Sequence, residues 1–589
     1  MNSSLSFSPR EWAELYAQRA YDELSERFLA ILRYFAESHY SEIDLPTQRA
    51  IDAFVLEFLH LFSKADYVPR RVHAIEFIER NLTISNLVAL SALKTTDPYL
   101  EVLSHQDNSL GKILALYSAR NNLHFERERF FALDPQLAAT WYVAYAAIFH
   151  GGLVRSDVCK NLQAHFAFAP IIFQTTDRIP DICYGVSYVD GESERSIKPA
   201  VNRWIRSVLR STRIRNRPDP KRIAVLSCLW WAGQSSYRTI LPYLEGLQDY
   251  DLTLFYIPMP GKKIDTTLFR EVRELSFANG VLDIGPLLDN DFQVAFFPDI
   301  GMTSFSIWLA NLRIAPIQLV STGHPVSTWG TEIDYFLSGA DVESPDHPEK
   351  YYSERLVLLP GRGSINLLPE YEPVGRKKTC PEFVLNCPWS SQKINHAFCR
   401  MLAQLVERSD KKLRLRLFVG SMTRELNLVP FVRELSALLP AAVIEPLPNL
   451  GYQHYMTLME EGDLGLDAYH FGGSNTMADS LYVRKLMATC EGDRWYNRIG
   501  PQMLRMAGLP ELVAASPEEY VDLVVRLIHD DDFRRGLEDR LRRADLRNTI
   551  FNRGDARYFR KAVDYLIANY ETLRKDTDRS PIRIERDPG

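Results

Sequence analysis

Apolar residues in the first third of the chain recur at helical spacing. In "WAELYAQRAYDELSERFLAILRYFAESHY", and again in "RAIDAFVLEFLHLF", they fall near i, i+3, i+4 and i+7. That is the stripe of a helix packed on one side. The stripe is broken at "DLPTQ", "KADYVPR", "KTTDPY" and "ALDPQL", each carrying Pro or Asp where a helix would start. No 34-residue repeat stands out, so the pattern predicts an all-α domain over residues 1–212 and not a solenoid. The run "LAATWYVAYAAIF" (137–149) stops at "HGG". It is shorter than the roughly 20 residues a bilayer requires and reads as a buried helix.

The period changes after "STRIRNRPDPKR" (211–222), a basic, Pro-containing linker. "RIAVLSCLW", "DLTLFYIPM", "FQVAFFPDI", "IAPIQLVST", "IDYFLSG" and "RLVLLPG" are continuous apolar runs separated by helix-length segments. Parallel strands buried on both faces need such runs. A second series, "FVLNC", "LRLRLFVG", "AVIEPL", "LGLDA" and "KLMAT", follows the polar stretch "EYEPVGRKKTCPE" (370–382). The class is α/β: two Rossmann-like domains facing a cleft, residues 213–376 and 377–589, behind the helical domain. The tail 517–577 reads as amphipathic helix.

Composition narrows the function. The 69 Lys and Arg against 75 Asp and Glu give −6, dispersed along the chain, with no basic stripe for nucleic acid. Seven cysteines without a CxxC pair argue for reduced thiols in a cytoplasm, not a disulfide framework or a zinc site. The start "MNSSLSFSPREWAEL" has no signal-peptide pattern. A soluble cytoplasmic protein without a membrane span is expected.

Three stretches carry candidate chemistry. In "DLGLDAYHFGGSNTMADSLYVRK" (463–485) a strand ends in Gly472 and Gly473, and Ser474, Asn475 and Thr476 open the next helix. A glycine-rich turn into a helix N-terminus offers N–H groups to phosphate at the carboxyl end of a strand. Asp479, about one turn in, is placed to accept from both hydroxyls of a ribose. The alternative is an ordinary helix cap with an acid favourable to the dipole. In "FVLNCPWSSQKINHAFCRML" (383–402) Lys393 stands near a helix start, unfavourable for the dipole unless it meets an anion, or else a solvated surface lysine. In "IAPIQLVSTGHPVSTWGTEIDY" (314–335) Gly323-His324-Pro325 points a histidine from a rigid turn, either proton-handling or structural.

"RIAPIQLVSTGHP", "PLPNLGYQHYMTLMEEGDLGLDAYHFGGSNTMADSL" and "RMAGLPELVAASPEEYV" together resemble the HMW1C-type cytoplasmic N-glycosyltransferases, bacterial relatives of the O-linked N-acetylglucosamine transferases (family GT41). The motif-level likeness runs from about residue 210 to 525. It implies a GT-B fold preceded by helices, with 213–376 on the acceptor side and 377–589 binding the donor. It also implies an inverting, metal-independent enzyme whose donor is a UDP-hexose, typically UDP-glucose, and whose acceptor is the Asn of Asn-X-Ser/Thr sequons in proteins such as adhesins. No further cofactor or metal is implied, and no DxD-like pair follows a strand in the right place.

Carried over, Lys393, Asn475 and Thr476 would meet the diphosphate and Asp479 the ribose. Tyr452 or Tyr455, in "GYQHY", would line the uracil pocket, and His324 would lie on the acceptor side. "SSYRT" (235–239) matches a family segment, but Gln234 stands where the family has a histidine important for activity. Asn449 replaces a second histidine, and Ser421-Met422-Thr423 lacks the expected glutamine. Two alternatives therefore remain: a hydroxyl acceptor on a protein or glycan, with His324 as base, or a weakly active descendant that binds nucleotide.

Overall fold

The computed structural model describes residues 7–147, 154–173, 178–209, 214–278, 281–420 and 422–587. Residues 1–6 of the N-terminal stretch, 148–149 of the predicted buried run, 211–213 of the linker and Ser421 lie outside the described residues. Among the described residues the strands are, in chain order, β1 (Asp219–Leu226), β2 (Asp251–Tyr256), β3 (Glu271–Glu274), β4 (Phe277–Ala278), β5 (Val281–Leu282), β6 (Phe292–Phe297), β7 (Ile317–Val320), β8 (Tyr335–Gly339), β9 (Arg355–Leu359), β10 (Phe383–Cys387), β11 (Leu413–Gly420), β12 (Val443–Pro448), β13 (Leu464–Leu466), β14 (Met487–Cys490), β15 (Val513–Ala514) and β16 (Ile582–Arg583). The chain forms two compact units. One comprises Met1–Ile197, Trp389–Glu407 and Lys412–Leu450; the other comprises Lys198–Pro388, Arg408–Lys411 and Gly451–Gly589.

The first unit is helical, with β11 and β12 paired in parallel. Some of its helices begin at side-chain caps. Asp44 opens helix Leu45–Phe62 by accepting from Thr47 N–H at 2.8 Å. Asp134 opens Pro135–Tyr145 by accepting from Gln136 and Leu137 N–H, with Pro at the first helical position, where its missing N–H costs nothing. The amphipathic stripes meet in an aromatic core. Trp12 packs edge-on against Phe28 at 4.9 Å, and Phe54 stacks on Phe58 at 5.5 Å. The 137–145 stretch is buried throughout, and no described helix is long and apolar enough to cross a membrane.

The second unit holds a parallel sheet in the order β16-β9-β8-β7-β6-β1-β2-β3. Alternation along its strands feeds two cores. Ile223 and Val225 of β1 and Val294 and Phe296 of β6 face helices Ser235–Glu245 and Ala556–Ala568 through Ile240, Tyr243, Phe559 and Val563. Ala224, Leu226, Ala295 and Phe297 face the other way, onto Phe305 and Leu309. Burial on both faces explains the unbroken apolar runs, each buried Leu, Ile or Phe contributing about 1.5–3 kcal/mol. From β1 the chain adds β2 and β3 on one side, and β6 onward on the other. The β1–β6 boundary is therefore the topological switch point, where α/β sheets bind ligands at strand carboxyl ends. Within the same unit β10, β13, β14 and β15 pair in parallel in that order.

Candidate active site

The loop after β13 is organised by Asp467, which is 4% exposed. One carboxylate oxygen accepts from the N–H groups of Ala468 (3.0 Å) and Gly473 (2.8 Å), and the other from the Thr489 hydroxyl (2.9 Å). The two glycines answer to this crowding. A Cβ on Gly472 would stand 2.8 Å from the Asp467 carboxylate and 2.9 Å from the Tyr496 carbonyl, and one on Gly473 would overlap Thr476 Oγ1. Neither glycine has a positive φ, so space and not backbone freedom selects them. Helix Asn475–Tyr482 follows, with Ser474 at its N-cap making no side-chain capping bond. Its first-turn N–H groups have no intrahelical partner and form a site suited to an anion.

Asp479 lies one turn in, with its side chain 2% exposed. The Arg238 guanidinium grips it in a fork, Nη1 to Oδ2 at 3.1 Å and Nη2 to Oδ1 at 2.6 Å, and the Tyr452 hydroxyl donates to Oδ1 at 2.9 Å. Arg238 also donates to the Tyr452 oxygen (3.2 Å) and lies 5.1 Å from the centre of its ring. Tyr455 sits beside Tyr452, their ring centroids 6.0 Å apart on helix Tyr452–Glu461. Burial, reinforced by the Asp479 charge, raises both phenols above their ordinary range.

Asn475 ties two helix starts together. Its Nδ2 donates to the Ser235 carbonyl (3.0 Å), at the first residue of helix Ser235–Glu245, and its Oδ1 accepts from Asn366 (3.0 Å). Asn366 in turn accepts from Arg362 at 3.0 Å, a buried guanidinium that burial lowers to about 10. Ser474 and Thr476 are half-buried at the same helix start. Gln234 folds its amide oxygen onto the Ser235 N–H as the cap of helix Ser235–Glu245.

His324 follows β7, behind Gly323, where a Cβ would overlap the Pro298 carbonyl. The imidazole is 3% exposed, and burial, with the Lys198 charge adding to it, pushes its pKa well below 6.5. It is neutral at pH 7. Its ring lies 6.4 Å from that of Phe471, which stacks on Tyr496 at 4.2 Å. Phe471 belongs to the glycine loop, so the His324 ring packs towards that loop.

Lys393 ends a short 3-10 turn, Ser391–Lys393, ahead of helix His396–Arg408. It belongs to the first compact unit, whereas Gln234, His324, Tyr452, Tyr455, Gly472, Gly473, Ser474, Asn475, Thr476 and Asp479 share the second. Asn449, also in the first unit, takes a left-handed φ of 54° and donates to Thr423 Oγ1 at 3.1 Å. No described group of three or more His, Cys, Asp or Glu side chains converges to hold a metal.

Three residues that organise the site carry no role in the sequence reading: Arg238, Asp467 and Asn366. Arg238 had a signal. A cation on the first turn of a helix after a strand is the argument applied to Lys393, and "SSYRT" satisfies it. Asp299, just after β6 at the switch point, is a fourth. It is fully buried, and its Oδ2 accepts from Ser227 Oγ (3.0 Å) and Leu229 N–H (3.2 Å). Burial raises its carboxyl to about 7.

No family model matches the chain. Its fold is shared with a point mutant of the Thermobaculum terrenum O-GlcNAc transferase, at TM-score 0.56 and 17% identity over 89% of this chain and 98% of that one. The fold is thus GT-B, with helices preceding its two Rossmann-like domains, and the chain is a glycosyltransferase. In particular it is similar to the UDP-glucose:protein N-beta-glucosyltransferase of Actinobacillus pleuropneumoniae serotype 5b. The two are 23% identical over 489 residues, covering 77% of this chain and 76% of the relative. A shorter likeness joins it to the probable UDP-N-acetylglucosamine–peptide N-acetylglucosaminyltransferase SPINDLY of Solanum lycopersicum. That match is 28% identical over 231 residues, 37% of this chain and 24% of that protein. The resemblance read from the motifs holds.

Proposed function

We propose that the protein transfers a hexose, glucose, from UDP-glucose to the asparagine of Asn-X-Ser/Thr sequons in acceptor proteins of the adhesin kind, in the cytoplasm. Transfer proceeds with inversion and without a metal. The observation that carries this reading is the uncapped helix at Ser474–Asn475, one turn ahead of a buried Asp479, in a chain similar to a protein N-glucosyltransferase over three quarters of its length. The uncapped N–H groups of Asn475 and Thr476 take the diphosphate, Asp479 takes the ribose, and Tyr452 and Tyr455 wall the uracil. Residues 377–589 form the donor domain, 213–376 the acceptor side and 1–212 an all-α domain.

An amide nitrogen is a poor nucleophile because its lone pair is delocalised into the carbonyl. Rate must come from positioning the acceptor and from stabilising the departing UDP, the role of Lys393 and the helix N–H groups. His324, neutral and buried, orients the acceptor and does not carry charge.

The test is mass spectrometry of an Asn-X-Thr peptide and its Asn→Gln control, each incubated with a panel of UDP- and GDP-sugars, with nucleotide release followed in parallel. A hexose on the first peptide alone, from UDP-glucose, is the expected result. Lys393→Ala should lower turnover about 10²–10³-fold, the usual loss when one charge-stabilising donor is removed. Asp479→Ala should weaken donor binding first. Unchanged kinetics in both variants would remove the proposed site.

Gln234 supports a second reading. A helix-capping amide in place of the family's histidine fits a hydroxyl acceptor, protein Ser/Thr or glycan. UDP release with hexose on serine or threonine would select it. UDP binding with neither signal would select a weakly active descendant.

A further inference from the structure

Arg238 presents more hydrogen-bond donors than Asp479 and Tyr452 consume. A guanidinium carries five N–H groups. Two close the fork on Asp479 and a third reaches the Tyr452 hydroxyl. The Nε–H and the second Nη1–H have no acceptor among the described residues. The side chain is 13% exposed, so these donors are not sealed in the core. Arg238 also stands between two helix starts. Its own helix begins at Ser235, whose carbonyl accepts from Asn475 Nδ2 at 3.0 Å, and Asn475 opens the helix that lacks a side-chain cap. The positive ends of two helix dipoles and one guanidinium thus share a small volume, an arrangement that favours an anion.

We propose that Arg238 is a ligand of the donor's diphosphate, held by Asp479 and Tyr452 in the orientation that aims its spare N–H groups at a phosphate oxygen. The proposal rests on the donor site described above and adds a residue to it. A nucleotide whose ribose lies on Asp479 carries its phosphates within one sugar's length of that carboxylate. Phosphate and carboxylate repel, and the guanidinium between them offsets that repulsion while bonding both. The carboxylate also positions Arg238 before any nucleotide arrives, which lowers the ordering cost of binding.

The experiment compares UDP with uridine, which lacks the phosphates, by titration calorimetry. In the wild type UDP should bind more tightly than uridine. In Arg238→Ala the ratio of UDP to uridine affinity should fall about tenfold, the worth of one charge-assisted hydrogen-bonding group. Arg238→Lys, which keeps the charge and loses the fork, should fall in between. If removing Arg238 leaves the buried carboxylate too costly for folding, the comparison moves to Asp479→Asn against Asp479→Asn/Arg238→Met, where that carboxylate is absent from both arms. The ratio should drop on loss of the arginine there as well. A ratio unchanged within twofold overturns the proposal, whichever way the absolute affinities move, because a merely supporting arginine would weaken both ligands alike. Wild-type protein that binds neither ligand overturns the donor site itself, a separate outcome from a wild type that binds both while the variants keep its ratio.

Discussion

Gly473 and Thr476 compete for one volume, and glycine resolves the competition. Replacing Gly473 by Ala drives its Cβ into Thr476 Oγ1, and overpacking of this kind costs about 1–3 kcal/mol. Denaturant unfolding should show that loss in Gly473→Ala and its recovery in Gly473→Ala/Thr476→Ala. Gly536, inside helix Asp531–Arg543, is the control, since an added Cβ meets nothing within 4 Å. Gly536→Ala should gain about 0.5–1 kcal/mol. Asp299 makes a different prediction. Its carboxyl stays protonated in the fold up to about pH 7, against an ordinary value of 3.8. The folded state therefore holds a proton that the unfolded chain releases between those values. That contribution to stability is greatest at acid pH, declines as pH rises through the window and is gone above it. Asp299→Asn keeps acceptors for Ser227 and Leu229 without the charge. It should match the wild type near pH 4 and exceed it at pH 8, as read by thermal unfolding at each pH.

At the scale of elements, helix Ala556–Ala568 carries much of one core. Phe559 is 1% exposed, stacks on Tyr243 at 4.8 Å and meets Phe296 edge-on at 5.4 Å. Phe559→Ala should cost about 3–5 kcal/mol in chemical denaturation. Such elements were largely legible. β1, β2 and β6 to β14 coincide with the apolar runs because burial on both faces leaves little latitude in residue type. The Asp and Pro breaks mark helix starts because their chemistry is local. The elements that escaped are those whose pairing is decided elsewhere in the chain. β3, "EVRE", alternates half-buried and exposed residues at a sheet edge, and β16 is two residues long. The site divides in the same way. The glycine loop and Asp479 announce themselves in one contiguous stretch, whereas the Arg238–Asp479 fork joins residues 241 apart. Nothing in the spacing of either residue reveals that partnership.

The molecule as a whole is less sequential than its motifs. Each compact unit is assembled from separated segments, and helix Ala556–Ala568 and β16 return to the sheet begun at β1. That return has a consequence in time. On a ribosome, β1 to β9 are complete once residue 359 has emerged, but the apolar face that Phe559 and Val563 cover waits for about 200 more residues. At roughly 5–20 residues per second that is on the order of 10–40 s of synthesis. Throughout that interval the nascent sheet presents Ile223, Val225, Val294 and Phe296 without part of their cover. The far end of the gene thus governs how long the first sheet is exposed to aggregation, and slow codons between residues 360 and 556 should lower the yield of soluble enzyme more than slow codons placed before β1.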